Sequence, residues 1–166
     1  MPSYKKPLPD LYKINFIYSV DDSEKFNLDE ELDYHPEYTL TRFVGSITDA
    51  IIDANSRVSQ YLQDQTYTLP ARVENNYVSL YLRKNYTTSS FEIASIYLNK
   101  NFTGKKYGTN LIKYIHHINS RFNNTLIQSV NNPYLRAWCK KNGWRHVISK
   151  DGNVTSSFSL PTTRKI

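Results

Sequence analysis

Lysines and glycines crowd one stretch of the chain, Tyr97 to Ile115, which reads YLNKNFTGKKYGTNLIKYI. It opens with the alternation of a strand, passes through a loop holding Gly104 and Gly108, and closes as an amphipathic helix. A helix start leaves backbone N–H groups without partners and carries about half a unit of positive charge, so a loop that turns them outward makes an anion site. Gly104 and Gly108 let the main chain bend tightly and let a diphosphate approach with no Cβ in the way, while Lys105 and Lys106 add mobile cations. The chemistry on offer is retention of a phosphate group. An ordinary polar loop with a glycine at the helix start is the alternative reading of the same residues.

Few other residues offer chemistry at a useful spacing. Cys139 is the single cysteine, which excludes an internal disulfide and any set of thiol ligands for structural zinc. His116 and His117 are neighbours on a helix and point about 100° apart, so they do not pair on a metal, and both are expected at the surface. No metal is implied.

Charge supplies a wider context. Residues 93–166 hold 12 Lys/Arg against Asp151 alone, whereas residues 1–92 hold 9 Lys/Arg against 14 Asp/Glu, so the net +6 hides a balance of +11 beside one of −5. A cationic half of this kind attracts phosphate, on a nucleotide cofactor or along a nucleic acid; solvation of a face is the plainer account of any single lysine. The 39% hydrophobic and 22% charged content of 166 residues is that of one soluble globular domain spanning 1–166. No run approaches the roughly 18 apolar residues of a membrane span, and MPSYKKPLPD lacks the apolar stretch of a signal peptide. The expected compartment is the cytoplasm, with no membrane partner.

The elements that must position the loop follow from periodicity. Residues 1–12 read as an irregular arm, Lys13 to Val20 as a first strand, and the acidic Asp21 to Glu37 has no clear period beyond a short helix candidate at LDEEL. From Thr41 to about Gln63 the residues Val44, Ile47, Ile51, Ala54, Val58 and Leu62 fall on one helical stripe. YTLPARVE and YVSLYLRK flank Asn75-Asn76 as a hairpin, with Pro70 weakening the first strand or placing it at an edge. FEIASIYL, Phe91 to Leu98, is a strand. It is followed by a helix from about Gly108 to Phe122 that turns Leu111, Ile112, Ile115, Ile118 and Phe122 inward and Lys113 and His117 outward. TLIQSV is a short strand, Pro133 to Asn142 a helix, and WRHVISK and NVTSSFSL a hairpin about Asp151-Gly152; TTRKI should be a loose tail. Strand, helix, three strands, helix, strand, helix and two strands make an α+β, three-layer domain with a mixed sheet.

The stretch IYLNKNFTGKKYGTNLI resembles the acetyl-CoA-binding motif of the GCN5-related N-acetyltransferase family, in which a strand leads through a Q/R-x-x-G-x-G/A loop into a helix. SVNNPYLRAWCKKNGW is similar to that family's second motif, a short strand, an asparagine and a helix closing on aromatic-x-x-x-x-Gly-aromatic. The two cover about residues 91–146; before them only the order of elements supports the likeness. The resemblance implies a mostly antiparallel mixed sheet with helices on both faces and a fourth strand that splays from the fifth. Pantetheine would then run along Ile96, Leu98 and Asn99, the pyrophosphate would rest on the amides of Thr103, Gly104, Lys105, Lys106, Tyr107, Gly108 and Thr109, and Asn131 would border the cofactor arm. Acetyl-CoA enters as co-substrate.

Two departures qualify the likeness. Aligning Gly108 with the last glycine of the loop puts Thr103 at the Gln/Arg position and Lys106 at the middle glycine, where a lysine either crowds the pyrophosphate or replaces an amide contact with a charge-assisted one. Acetyl transfer to an amine needs a base for the ammonium proton and an acid for the leaving thiolate. The family's acid is a tyrosine in the last helix, and Cys139 stands there, with Tyr134 about one turn earlier as a substitute and core packing as the plain reading of the cysteine. Glu92, the one acidic residue on the fourth strand, is the candidate base; by alternation it shares a face with Ala94, Ile96 and Leu98, and an edge-strand glutamate is the plain reading. Trp138 and Trp144 are read as core, with a wall of the acyl cleft as the second reading of Trp138. The leading function is transfer of an acetyl group from acetyl-CoA to a small-molecule or protein amine. A catalytically inactive scaffold of the same fold, in a virus or mobile element, is the second. Nucleic-acid binding through the basic half, including tRNA-directed acetylation, is the third.

Overall fold

The computed structural model describes residues 41–102 and 106–166. The arm at 1–12, the strand expected at Lys13 to Val20 and the LDEEL segment lie outside the described residues. Within them, strands β1 (Thr41–Arg42), β2 (Ala71–Asn75), β3 (Val78–Asn85), β4 (Ser90–Leu98), β5 (Asn124–Ile127), β6 (Arg145–Ile148) and β7 (Val154–Pro161) form one sheet in the order β1-β2-β3-β4-β5-β7-β6. Helices α1 (Ile47–Gln63), α2 (Tyr107–Ile118) and α3 (Pro133–Lys141) join them, with a 3-10 turn at Lys100–Phe102. Pairing is antiparallel at β2–β3, β3–β4, β5–β7 and β6–β7 and parallel at β1–β2 and β4–β5. The mixed, mostly antiparallel α+β arrangement agrees with the expectation from sequence.

The helix expected from Thr41 starts at Ile47 instead, and Thr41–Arg42 is a strand. Ser46 sets the boundary: its extended backbone (φ −136°) places the hydroxyl to accept from Asp49 N at 3.1 Å, the usual way to satisfy a first-turn donor. Ala50, Ala54, Val58, Tyr61 and Leu62 then face the core, the stripe a 3.6-residue period demands. The far end of α1 is held by Lys84 of β3. Its ammonium donates to the Asp64 and Tyr67 carbonyls at 2.7 and 2.6 Å and lies 4.2 Å from the Tyr61 ring centre. Burial lowers its pKa from the usual lysine value.

Asn75 and Asn76 fix the β2–β3 hairpin. The fully buried Asn75 accepts from Tyr77 N and Val78 N, both at 2.9 Å, and its amide nitrogen donates to the Ala50 carbonyl and to Asp53, both at 3.0 Å. Asn76 accepts from Val44 N at 2.8 Å. One side chain thus closes the turn and ties it to α1. Pro70 sits just outside β2, so the strand begins with a residue able to donate to the ladder.

A shift in the β3–β4 register decides where β4 points. Tyr81 pairs with Ser95 but Leu82 pairs with Ile93, leaving Ala94 as an extra residue in β4. Cα partners on antiparallel strands project to the same face, so Ile93, Ile96 and Leu98 lie with Leu82, Leu80 and Val78. Glu92, Ser95 and Tyr97 lie with Arg83, Tyr81 and Ser79 on the other face. The expectation that Glu92 shares a face with Ile96 and Leu98 is therefore corrected: unbroken alternation would give it, and the bulge at Ala94 reverses it.

The C-terminal half closes around α2. Leu111, Ile112 and Ile115 are buried and α1 packs beside the helix, while Lys113 and His117 are exposed as expected. The helix ends at Ile118, four residues before the expected Phe122, which is buried beyond the helix. His116 is 3% exposed, not a surface residue. Its Nδ1 hydrogen-bonds Thr125 Oγ1 at 2.9 Å and its Nε2 meets the Arg164 carbonyl at 2.6 Å. The same contact corrects the loose tail, since Thr162 N also donates to the Asn123 carbonyl at 2.9 Å. At the end of α3, Gly143 adopts φ 84°, and Trp144 N donates back to the Cys139 carbonyl at 3.0 Å, the left-handed stop that glycine makes cheap.

Candidate functional site

β4 and β5 run parallel and stay paired from Ser90–Asn124 to Ile93–Ile127; Gln128 N still donates to the Ile93 carbonyl at 3.0 Å. Beyond that point the two strands part. β4 continues to Leu98, whereas β5 stops at Ile127, short of the expected Val130, and the chain turns through Ser129 at φ 53°. The parting leaves a narrow notch of about 20 Å³ bounded by Ile93 to Tyr97 on one side and Ile127 to Val130 on the other. Ile96 and Leu135 line both this notch and a much larger cleft of about 850 Å³.

The cleft is framed by the first two turns of α2, by α3 and by the apolar side chains of Ile96 and Leu98. Lys106, Lys113 and Lys141 line it, and no carboxylate does so among the described residues. An anion entering there meets three ammonium groups and no repulsion from a paired acid. Lys106 occupies the N-cap of α2 with φ 69° and ψ 6°, and its side chain makes no capping hydrogen bond. Among the described residues no side chain is seen to accept from the amides that open α2, a setting that suits an anion. Asn132, by contrast, caps α3 itself by accepting from Tyr134 N at 2.9 Å and Leu135 N at 3.1 Å. The two helix starts facing the cleft are therefore unlike: the N-cap side chain closes α3 and does not close α2.

The two glycine-loop residues inside the described part have separable roles. A Cβ on Gly108 would come within 3.3 Å of Leu98 Cδ1, so this glycine lets α2 press against the end of β4. Lys106 takes the left-handed backbone that the middle glycine of the motif would favour, at a cost of roughly 1 kcal/mol for a residue with a Cβ. Tyr107 anchors the start of α2: its ring lies 6.0 Å from that of Phe102, which lies 5.4 Å from that of Tyr77.

Of the expected site residues, Ile96, Leu98, Lys106, Gly108, Thr109 and Tyr134 line the one cleft. Thr103, Gly104 and Lys105 lie outside the described residues. Asn99 is buried in the turn after β4, donating to the Tyr77 carbonyl at 2.8 Å and accepting from Asn101 N at 3.0 Å. Asn131 is exposed and does not line the cleft; its neighbour Asn132 does. Cys139 is 0% exposed, belongs to the core, and burial pushes its pKa up to about 12. Its thiol does not line the cleft, so a role as proton donor there is corrected in favour of packing. Glu92 lies on the far face, ion-paired to Arg83 (3.2 Å) and accepting from Asn85 Nδ2 at 3.0 Å; Arg83 also contacts Gln128.

Trp138 lines the cleft, half-buried, with its ring 6.2 Å from that of Trp144 in the core. Lys113, Lys141 and Asn142 join the same wall. A signal for them existed: Tyr134, Trp138 and Lys141 are spaced i, i+4, i+7, one stripe of a helix. It was indistinguishable from an amphipathic helix with a solvated edge.

No protein-family model and no curated protein matches the sequence. Among solved structures, a mutant spermidine N-acetyltransferase SpeG from Vibrio cholerae is similar at 14% identity and a TM-score of 0.44, over 65% of this chain and 72% of that one. Tetrahymena GCN5 is similar at 14% identity and a TM-score of 0.41, over 72% of this chain and 90% of that one. Likeness at this level assigns no role to any residue, and the cleft's chemistry is argued from its own geometry.

Proposed function

We infer that the protein is an acetyl-CoA-dependent N-acyltransferase, moving an acetyl group to the amine of a small molecule or protein. The observation that carries this reading is the parting of β4 from β5 beside a cationic cleft at the start of α2. Acetyl-CoA supplies an activated acyl group on a thioester. The reaction forms a C–N bond, breaks the C–S bond, removes a proton from the ammonium and gives one to the departing sulfur. Lys106 and the α2 amides suit the diphosphate, and Ile96 and Leu98 offer an apolar wall to the pantetheine arm. Tyr134, 85% exposed on the first turn of α3 and lining the cleft, has a hydroxyl able to protonate the sulfur. Glu92 remains the candidate base, which requires the amine to approach from the opposite face of the sheet, across the notch.

The test is release of free thiol from acetyl-CoA with a panel of amines. Release that depends on added amine and falls in Tyr134→Phe supports the transferase. Binding of acetyl-CoA with no amine-dependent release supports a second reading, a binding module without turnover. That alternative is favoured by the burial of Cys139, the ion pair at Glu92 and a notch of about 20 Å³. Nucleic-acid binding through residues 93–166, the third candidate, predicts RNA affinity that falls steeply with salt.

A further inference from the structure

The N–H groups of a strand alternate between its two neighbours, and β5 keeps that order as far as Gln128. Asn124 and Gln128 donate toward β4, to the Ser89 and Ile93 carbonyls, both at 3.0 Å. Thr125 and Ile127 pair with Leu160 and Phe158 of β7. Continued in this register, Ser129 would lie against Ser156, and the Val130 N–H would point back to β4. Neither happens. Ser129 N donates to the Ser157 hydroxyl oxygen at 3.0 Å, and Val130 N donates to the Ser156 carbonyl at 2.8 Å, on the β7 side. The pairing has slipped by one residue at Ser129, whose φ of 53° is the left-handed turn of a bulge. Because a side-chain oxygen takes the Ser129 amide, the Ser156 carbonyl is left to Val130. Without that oxygen the slipped arrangement would strand the amide of half-buried Ser129, a penalty the regular register does not carry. Ser157 is itself held in place: its N–H donates to Thr155 Oγ1 at 3.2 Å, and the Thr155 hydroxyl donates to the Val147 carbonyl of β6 at 2.7 Å.

We propose that Ser157 is a positioning residue, whose hydroxyl holds the continuation of β5 on β7 and so keeps the space between β4 and β5 open. It acts through Ser129 and Val130, which line the notch while Ser157 stands behind them. The proposal rests on the acyltransferase reading, in which the thioester arm enters that opening, and adds the group on a third strand that maintains it.

The experiment compares Ser157→Thr, which keeps the hydroxyl, with its isostere Ser157→Val and with Ser157→Ala, all in the full chain. Ser159→Ala, on the same face of β7, is the control. Two quantities are read: the NMR coupling across the hydrogen bond from Val130 N to the Ser156 carbonyl in ligand-free protein, and calorimetric affinity for acetyl-CoA. The coupling should be present in the wild type, Ser157→Thr and Ser159→Ala, and absent from Ser157→Val and Ser157→Ala. Affinity should fall at least about tenfold in the two proteins lacking the hydroxyl and stay within about twofold in the others. A coupling that survives in Ser157→Val or Ser157→Ala overturns the proposal. So does a coupling lost with affinity unchanged, or a loss of affinity as large in Ser159→Ala. If the coupling follows the hydroxyl but no protein, wild type included, binds acetyl-CoA, the hold of Ser157 on β5 stands and the acyltransferase reading falls.

Discussion

Lys106 is where departure from the family motif and observed geometry meet. Its φ of 69° is the conformation a glycine would supply, so the chain keeps the bend while exchanging the hydrogen for a lysine side chain on the cleft wall. Lys106→Gly should raise stability to urea by up to about 1 kcal/mol by removing the left-handed strain, while weakening acetyl-CoA binding through the lost cation. A variant that loses stability would show that the side chain's own contacts outweigh the strain. Tyr134 is 85% exposed, so Tyr134→Phe should leave folding untouched. If its hydroxyl protonates the departing sulfur, turnover should fall at least about tenfold with acetyl-CoA affinity unchanged, since general acid catalysis typically contributes about 10²–10⁴-fold. An unchanged turnover number would end that assignment. At this scale the sequence was legible for position that depends on local chain order: Lys106, Gly108 and Thr109 stand at a helix start beside the cleft. It was not legible for Glu92, because one unpaired residue at Ala94 moves it to the other face, and no composition or spacing announces a bulge.

Elements followed their periodicity closely from β2 onward, and their ends were set by single side chains. Ser46 moves the start of α1 to Ile47, and Asn132 with Pro133 sets the start of α3 where expected. Asn75 does the same for the hairpin. Asn75→Ala would leave the Tyr77 and Val78 amides without this acceptor and would remove the bonds that tie the turn to the Ala50 carbonyl and to Asp53. It should cost about 2–4 kcal/mol in urea denaturation; a loss below about 1 kcal/mol would mean that water replaces the side chain. His116 departs from its expected surface position because the stripe of Ile112 and Ile115 extends to it through contact with the returning tail and with Trp144, at 5.7 Å between rings. Burial, the largest effect, holds its pKa below the ordinary histidine value. Lys165 and His117 push the same way, against the hydrogen bond to the Arg164 carbonyl. A histidine with a lowered folded pKa contributes stability that is full above about pH 6.5 and is lost as pH falls through that value toward the folded one. Urea midpoints should therefore drop between about pH 7 and 5, and His116→Gln should flatten the slope. An identical slope in the variant would place the titration elsewhere.

The whole molecule divides its charge, with a balance of −5 in residues 1–92 and +11 in residues 93–166. Part of the positive half lines one cleft: Lys106 at the start of α2, Lys113 on α2 and Lys141 on α3. That convergence could not be read from order alone, since it depends on how two helices from separate strand crossings come to line one space. The parting of the parallel strands is the other global feature, and it supplies the opening that a strand continuing to Val130 would have closed. The central claim is that this opening and its cations hold an anionic thioester coenzyme. Its most direct test is calorimetric titration of the full chain with acetyl-CoA, beside the variant Lys106→Glu. The account predicts one saturable site in the wild-type protein and at least about a tenfold loss of affinity when the cation at the start of α2 becomes an anion. No heat at millimolar acetyl-CoA, or equal affinity in the two proteins, would contradict it.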